Sequence, residues 1–208
     1  MKIAVIGGTG KMGSALARHL SKKHQVIIGS RDPRRAREAA KGIPGATGSD
    51  YLGAAAECEV AVFAVPFSAL DEAVPLVDAL QGKLVISIIN PIEKVGDELV
   101  YPLQYGSAAE MLASILSGSE VATAFNNIPE RMMEADEHPL ADVLVAASSK
   151  ETYDRAAEVV SSVPGFRPLY AGGLTNARLV EQLTVLEVNM AKLNGMKRLA
   201  PKFASQEK

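Results

Sequence analysis

The chain of 208 residues is poor in the side chains that carry most protein-based catalysis. It has one cysteine, Cys58, which excludes an intrachain disulfide; the acidic neighbours Glu57 and Glu59 disfavour a thiolate, so Cys58 reads as structural. The three histidines, His19, His24 and His138, have no metal-ligand spacing, and no serine or cysteine sits in a nucleophile motif. Hydrolytic and metal chemistry thus lose their usual carriers, and any catalysis falls mainly to bound cofactors. No signal-peptide pattern and no apolar run of membrane length occurs, from which a reducing cytoplasm and no membrane partner are expected. A formal net charge of −2 gives no general pull toward nucleic acid, so the expected partner is a small molecule. Neither internal repeats nor low-complexity linkers are found. Aromatic residues are scarce at 5%, but hydrophobic residues at 48% suffice for one sizeable core and an appendage.

What the chain does have is concentrated at its start. The apolar run Met1-Lys2-Ile3-Ala4-Val5-Ile6 stops at Gly7 and passes into Gly8-Thr9-Gly10-Lys11-Met12-Gly13, which opens the helix-compatible stretch Ser14 to Leu20. A G-x-G-x-x-G between a strand and a helix is the context of a dinucleotide-binding turn. Gly8 permits the tight turn, Gly10 lets main-chain N–H groups approach a pyrophosphate, and Gly13 lets the helix pack on the strand. A second apolar run, Gln25-Val26-Ile27-Ile28, ends in Gly29-Ser30-Arg31. NAD enzymes usually place a carboxylate at this strand end, about 20 residues past the glycines, to bind the ribose 2′-OH. Here Ser30 and Arg31 offer a hydroxyl and a planar cation instead, which suits a 2′-phosphate and points to NADP. Asp32, before Pro33, reads as the cap of the next helix.

Further strand-like runs at 59–65, 83–89, 121–125 and 141–147 are apolar rather than alternating, with helix-compatible stretches at 69–80 and 151–163. The pattern predicts an α/β fold: a Rossmann-type, doubly wound, mostly parallel sheet over residues 1–170, followed by a C-terminal helical segment over 171–208. Residues 91–118 read as an insertion carrying the capping box Ser107-Ala108-Ala109-Glu110. Thr175 is expected to cap a long helix whose Leu179, Leu183, Leu186, Met190 and Leu193 form a seam, either core or a subunit interface. In such sheets ligands bind beyond the strand ends: besides the glycine turn and Ser30-Arg31 these are Val65-Pro66-Phe67, Ile89-Asn90-Pro91 and Phe125-Asn126-Asn127-Ile128-Pro129. Val65, Pro66, Asn90, Asn126 and Ile128 are therefore candidates for the nicotinamide half.

Taken together, Ile6 to Gly13, Gly29-Ser30-Arg31, Val65-Pro66-Phe67, Ser107 to Glu110, Gly165-Phe166-Arg167-Pro168-Leu169 with Ala171-Gly172, Leu174 to Glu181, Leu183-Thr184 and Asn194-Gly195-Met196 resemble the NADPH-dependent reductases of coenzyme F420. The resemblance implies a homodimer, NADP in the first-half loops and a deazaflavin pocket where the C-terminal segment meets the strand ends. It places Thr9, Ser30 and Arg31 at the 2′-phosphate region and Leu199 against the deazaflavin ring. One departure stands out: archaeal members carry Leu-His-Thr-Ile-Pro where this chain has Phe125-Asn126-Asn127-Ile128-Pro129. Asn126 hydrogen-bonds but does not titrate. The cytosolic domains of membrane metalloreductases, which pass hydride to a flavin, share the Phe-Asn pair. Open alternatives are an NADPH-dependent reductase of a free flavin (FMN or FAD as acceptor), or of a small carbonyl or imine, and an NADP-sensing domain without turnover.

Overall fold

The computed structural model describes residues 1–133, 140–197 and 199–204; His138 lies outside them. The first half runs β1 (Lys2–Ile6), α1 (Lys11–Leu20), β2 (Gln25–Gly29), α2 (Pro33–Lys41), β3 (Ala46–Ser49), α3 (Tyr51–Glu57), β4 (Val60–Phe63), a 3₁₀ stretch (Phe67–Leu76), α4 (Val77–Leu80) and β5 (Leu84–Ser87). A hairpin of β6 (Glu93–Val95) and β7 (Glu98–Val100) and then α5 (Ala108–Ile115) form the insertion. The chain continues through β8 (Glu120–Thr123), α6 (Glu130–Met133), β9 (Ala141–Ala147), α7 (Lys150–Ser161), β10 (Phe166–Gly173) and α8 (Ala177–Leu193).

Eight strands make one sheet in the order β10-β9-β8-β5-β4-β1-β2-β3. Alternate residues of each strand face opposite layers. Ile3, Val5, Val26, Ile28, Val60 and Val62 join one cluster, with Leu16 and Leu20 of α1 and Val159 of α7. Ala4, Ile6, Ile27, Ala61 and Phe63 join the other, with Leu76, Leu80 and Leu112. Both faces are dry, which is why these strands are apolar throughout. Each fully buried Ile or Leu contributes roughly 1.5–3 kcal/mol, and that outweighs the weak helix propensity of the short connecting segments.

Four departures from the sequence expectations have local causes. The 69–80 stretch is 3₁₀ for most of its length, because Pro75 lacks an N–H and Ala69 leaves helical geometry (φ −117°, ψ 24°). β3 was not anticipated; Ala46-Thr47-Gly48-Ser49 has no apolar run, and α2 crosses so closely that a Cβ on Gly48 would lie 2.3 Å from the Ala36 carbonyl carbon. Thr175 does not cap α8: the chain passes through a 3₁₀ turn (Leu174–Asn176), braced by Asn176 Nδ2 donating to the Ala171 carbonyl at 2.7 Å. Last, β9 pairs antiparallel with β8, and β10 is parallel to β9. The starts of β9 and β10 therefore lie at the end of the sheet where the other strands finish.

The face that α8 turns inward is not its leucine seam. Ala177, Val180, Glu181 and Glu187 are buried, whereas Leu179 is 61% exposed and Leu193 81%. Glu181 Oε2 accepts from Tyr101 Oη at 2.7 Å and from the Ala108 N–H at 3.0 Å, and Oε1 accepts from the Ala109 N–H at 3.2 Å. Burial pushes its pKa up, while these three donors pull it down. The carboxylate thus satisfies two N–H groups of the first turn of α5, beside the Ser107 cap, and fastens α8 to the insertion. Glu181→Ala would leave the buried Ala108 and Ala109 N–H groups unmatched, while Tyr101 Oη keeps the Gly106 carbonyl at 3.2 Å, and is expected to lower unfolding stability by about 2–4 kcal/mol in urea titrations.

Candidate active site

The carboxyl ends of the strands form a continuous floor, with the sheet order turning outward in opposite directions from β1 and β4. At that switch the turn after β1 is packed against the turn after β4. Gly7 takes φ +88°, and a Cβ there would lie 2.6 Å from the Ala64 carbonyl oxygen, so the left-handed residue of the turn is Gly7 rather than Gly8. A Cβ on Gly13 would meet the Gly7 carbonyl oxygen at 2.7 Å, and one on Gly8 the Val5 carbonyl oxygen at 2.9 Å. Backbone meets backbone throughout, leaving Gly10 and Lys11 exposed and Thr9 and Met12 half-buried over the N-terminus of α1. The first N–H groups of that helix have no intrahelical acceptor and face the open side, a cradle fitted to a pyrophosphate.

Next to it, at the end of β2, Ser30 is buried and Arg31 is exposed and ion-paired with Glu72 at 3.8 Å. Asp32 caps α2, its carboxylate accepting from the Arg34 N–H at 2.9 Å, so it is occupied away from the strand end. Arg31, Tyr51, Leu52, Glu72, Pro75 and Leu76 help line a hollow of about 250 Å³. Val65 and Pro66 follow β4 beside the glycine turn, since a Cβ on Gly7 would also meet the Val65 nitrogen at 3.1 Å.

A larger cleft of about 630 Å³ lies over the ends of β5 and β8. It brings together Met12, Asn90, Asn126, Ile128 and Leu199 of the sequence-derived candidates, and it adds Thr184 and Glu187 of α8. Gly8, Thr9, Gly10, Lys11, Gly13, Ser30, Arg31, Val65 and Pro66 are outside its lining, and Met12 connects the two regions. Phe125, just past β8, has φ +59°, a costly geometry for a bulky residue, on the order of 1–3 kcal/mol. Its ring stays in the core, edge-on to Phe166 at 6.1 Å, while Asn126 is turned to the cleft. Asn126 Nδ2 donates to the Ile89 carbonyl at 3.0 Å. The Asn126 carbonyl accepts from Asn90 Nδ2 and from Thr184 Oγ1, both at 2.9 Å.

The reversed strand β9 does not itself line the cleft but anchors the C-terminal tail that does. Asn127 Nδ2 donates to the Asp142 carbonyl at 2.7 Å. The Asp142 carboxylate takes a two-pronged contact from Arg167, Nε at 2.7 Å and a terminal nitrogen at 2.9 Å, and also accepts from the Phe203 N–H. The Asp142 N–H donates to the Pro201 carbonyl at 2.9 Å. This latch holds residues 201–203 on the sheet and thereby sets Leu199 in the cleft wall. Sequence reasoning missed the roles of Asp142, Thr184 and Glu187; the readable signal was that Glu181, Thr184 and Glu187 share a helix face with Ala177 and Val180. Among the described residues, no group of His, Cys, Asp and Glu is placed to hold a metal ion, and no helix is long and apolar enough to cross a membrane.

The family model for coenzyme F420-dependent NADP oxidoreductase matches residues 2–91. An F420-dependent NADP reductase of Methanothermobacter thermautotrophicus is 38% identical, with 91% of this chain and 89% of that protein covered. This chain belongs to the F420-dependent NADP reductase family. Its relative of that name from Methanocaldococcus jannaschii is 34% identical over 91% of this chain and 92% of its own length. The family likeness therefore extends past the nucleotide-binding half into the segment that carries β10, α8 and the tail. A crystal structure of an Arthrobacter sp. FB24 protein, proposed as an F420-dependent NADP-reductase, shares the fold: TM-score 0.88, 23% identity, 99% of this chain and all of that one.

Arg167 holds the Asp142 carboxyl below its ordinary range. The latch is therefore intact at neutral pH and is lost only as pH falls below the usual carboxylate range, because a depressed folded-state pKa stabilises above the unfolded value. Arg167→Met is expected to free the tail at neutral pH. Limited trypsin digestion should then cut at Lys202 in the variant much faster than in the unaltered protein; equal rates would show that the latch does not hold the tail.

Proposed function

We propose that this protein transfers a hydride between NADP(H) and coenzyme F420. The observation that carries the reading is the cleft over β5 and β8, walled by α8 and the C-terminal tail and joined through Met12 to the glycine cradle. Two bound heterocycles supply the redox chemistry, one giving a hydride and the other taking it; the chain supplies placement. Gly8, Gly10 and Gly13 let the backbone approach the pyrophosphate, with Thr9, Lys11 and Met12 completing that turn. Ser30 and Arg31 take the 2′-phosphate, Arg31 exchanging Glu72 for it. Val65, Pro66 and Asn90 border the nicotinamide. Asn126 and Ile128 lie at the transfer site, and Ile128 and Leu199 keep water from the rings. Transfer needs the two reacting carbons at about 3–3.5 Å with orbitals aligned, and no titrating group at either carbon. An asparagine at 126 is compatible with that. The setting we propose is the cytoplasm, with small-molecule cofactors as ligands and neither nucleic acid nor membrane as partner. Cys58, buried and with its thiol pKa pushed up by burial, suits a reducing compartment.

Mixing the protein with NADPH and oxidised coenzyme F420 is expected to bleach the deazaflavin absorbance without added metal. NADPH should be preferred over NADH about a hundredfold or more in kcat/KM, since each of two hydrogen bonds to a charged group contributes roughly 1.5–3 kcal/mol. Arg31→Ala should remove much of that preference; equal kcat/KM for the two cofactors in the unaltered protein would defeat the assignment. A second reading, a flavin as acceptor, is favoured by the Phe125-Asn126 pair. Rapid oxidation of NADPH by FMN with none by coenzyme F420 would select it, and tight NADPH binding with no oxidation by either would select a sensor.

The dimer enters on the outward face of α8, where Leu179, Leu186, Val188, Met190 and Leu193 are exposed, with Met196 just beyond the helix. An apolar stripe of this kind marks an interface with a second copy. Leu186→Glu removes no core contact, so it should leave the circular dichroism unchanged and shift sedimentation equilibrium toward monomer. An unaltered protein that sediments as a monomer at micromolar concentration would refute the interface.

A further inference from the structure

Two buried polar atoms that face the cleft have no hydrogen-bond partner among the described residues: Asn126 Oδ1 and Glu187 Oε1. The first is an acceptor without a donor. The second belongs to a side chain in a residue only 7% exposed, on the inward face of α8 and one turn beyond Thr184. A carboxylate buried for structural reasons finds donors, as Asp142 and Glu181 do here. Glu187 finds none among the described residues, although it lines the cleft of about 630 Å³ beside the strand ends.

The described charged groups around it are otherwise occupied or distant from the interior. Within the cleft, Glu130 pairs with Lys11 at 3.9 Å, Lys192 donates to the Asp97 carbonyl, and Lys197 stands exposed. From the elements packed on α8, Glu110 of α5 accepts from Ser107, Asp142 of β9 is bound by Arg167 of β10, and Glu98 of β7 is exposed. On α8 itself Glu181 is bound to Tyr101, and Arg178 lies more than two turns away along the helix.

We propose that Glu187 is the proton donor and acceptor that accompanies hydride transfer in this cleft, a role that rests on the functional reading given above. A neutral ring that accepts a hydride gains two electrons, one hydrogen and one negative charge. Proton transfer from Glu187 breaks its O–H bond, forms one bond from hydrogen to a ring nitrogen or oxygen, and leaves a carboxylate that recovers a proton from water at the cleft mouth. In the opposite direction the carboxylate takes that proton as the hydride leaves. No further oxidant or reductant is needed. Burial, with no neighbouring charge as a cause, pushes the Glu187 carboxyl up to about 8, so the acid is the resting form at neutral pH. As a neutral acid it is also the form that can donate a hydrogen bond to a ring carbonyl or nitrogen before reaction.

Glu187→Gln keeps the size and removes the proton. Infrared difference spectra of the protein without cofactors, titrated between about pH 5 and pH 9, should show a protonated-carboxyl band in the unaltered protein that is lost around pH 8 and is missing from the variant. In single-turnover mixing, the variant should bind NADPH with unchanged affinity, reduce coenzyme F420 roughly a hundredfold more slowly, and lose the pH dependence centred near 8. A missing band, or a band that disappears in the ordinary carboxylate range, overturns the proposal. So does a variant that matches the unaltered protein in rate at every pH while both reduce coenzyme F420. An unaltered protein that shows the band but never oxidises NADPH with coenzyme F420 defeats the functional reading itself, and the proton role falls with it.

Discussion

A carboxylate removed from water must be matched by donors or kept as the acid, and the second half of this chain is arranged around three ways of meeting that requirement. Asp142 is matched by a guanidinium and the Phe203 N–H, and its pKa falls. Glu181 is matched by a phenol and two helix N–H groups, which offset part of the upward push of burial. Glu187 has no donor among the described residues. The first two fasten the tail and the insertion, and in doing so they build the walls around the third. Removing either fastener would open the surroundings of Glu187 further to water, so the scaffold and the ionisation state inside the cleft are physically coupled.

The nucleotide half was legible because its determinants are local. The strand β1, the turn and α1 are contiguous, and Gly7, Gly8 and Gly13 are demanded by contacts of 2.6–2.9 Å that a Cβ would make with main-chain oxygens nearby. Strand ends at Asn90 and Asn126 could be named from the punctuation that follows apolar runs. The element of this half that escaped notice, β3, has no apolar run, and its place depends on how closely α2 approaches Gly48, which is a tertiary fact.

The acceptor half was less legible because its geometry follows from a reversal of direction that apolar runs do not encode. A buried strand reads the same whichever way it runs, and β9 gives no sign of being antiparallel to β8. Once reversed, it puts Asp142 and Arg167 at the site end and sends α8 back across the strand ends. The helix face was open to misreading for a related reason: Leu179, Leu186 and Leu193 are the most hydrophobic positions, yet the inward stripe is Ala177, Val180, Glu181, Thr184 and Glu187. Small residues allow the helix to approach the sheet closely, and the polar ones reach Asn126 and Ala108 at that distance.

The strained turn at Phe125 links the two halves. A left-handed phenylalanine persists only where its surroundings overdetermine it. Here the ring is held by Phe166 on one side, and the next carbonyl is held by Asn90 and Thr184 on the other. Relaxing Phe125 would move the Asn126 carbonyl away from both donors and rotate its side chain off the Ile89 carbonyl. The strain therefore fixes one orientation of an amide whose Oδ1 is left without a donor at the floor of the cleft. A histidine at this position could titrate, whereas asparagine keeps one charge state at all pH values. With the floor unable to ionise, proton traffic in the cleft falls to the wall that α8 provides, where Glu187 stands.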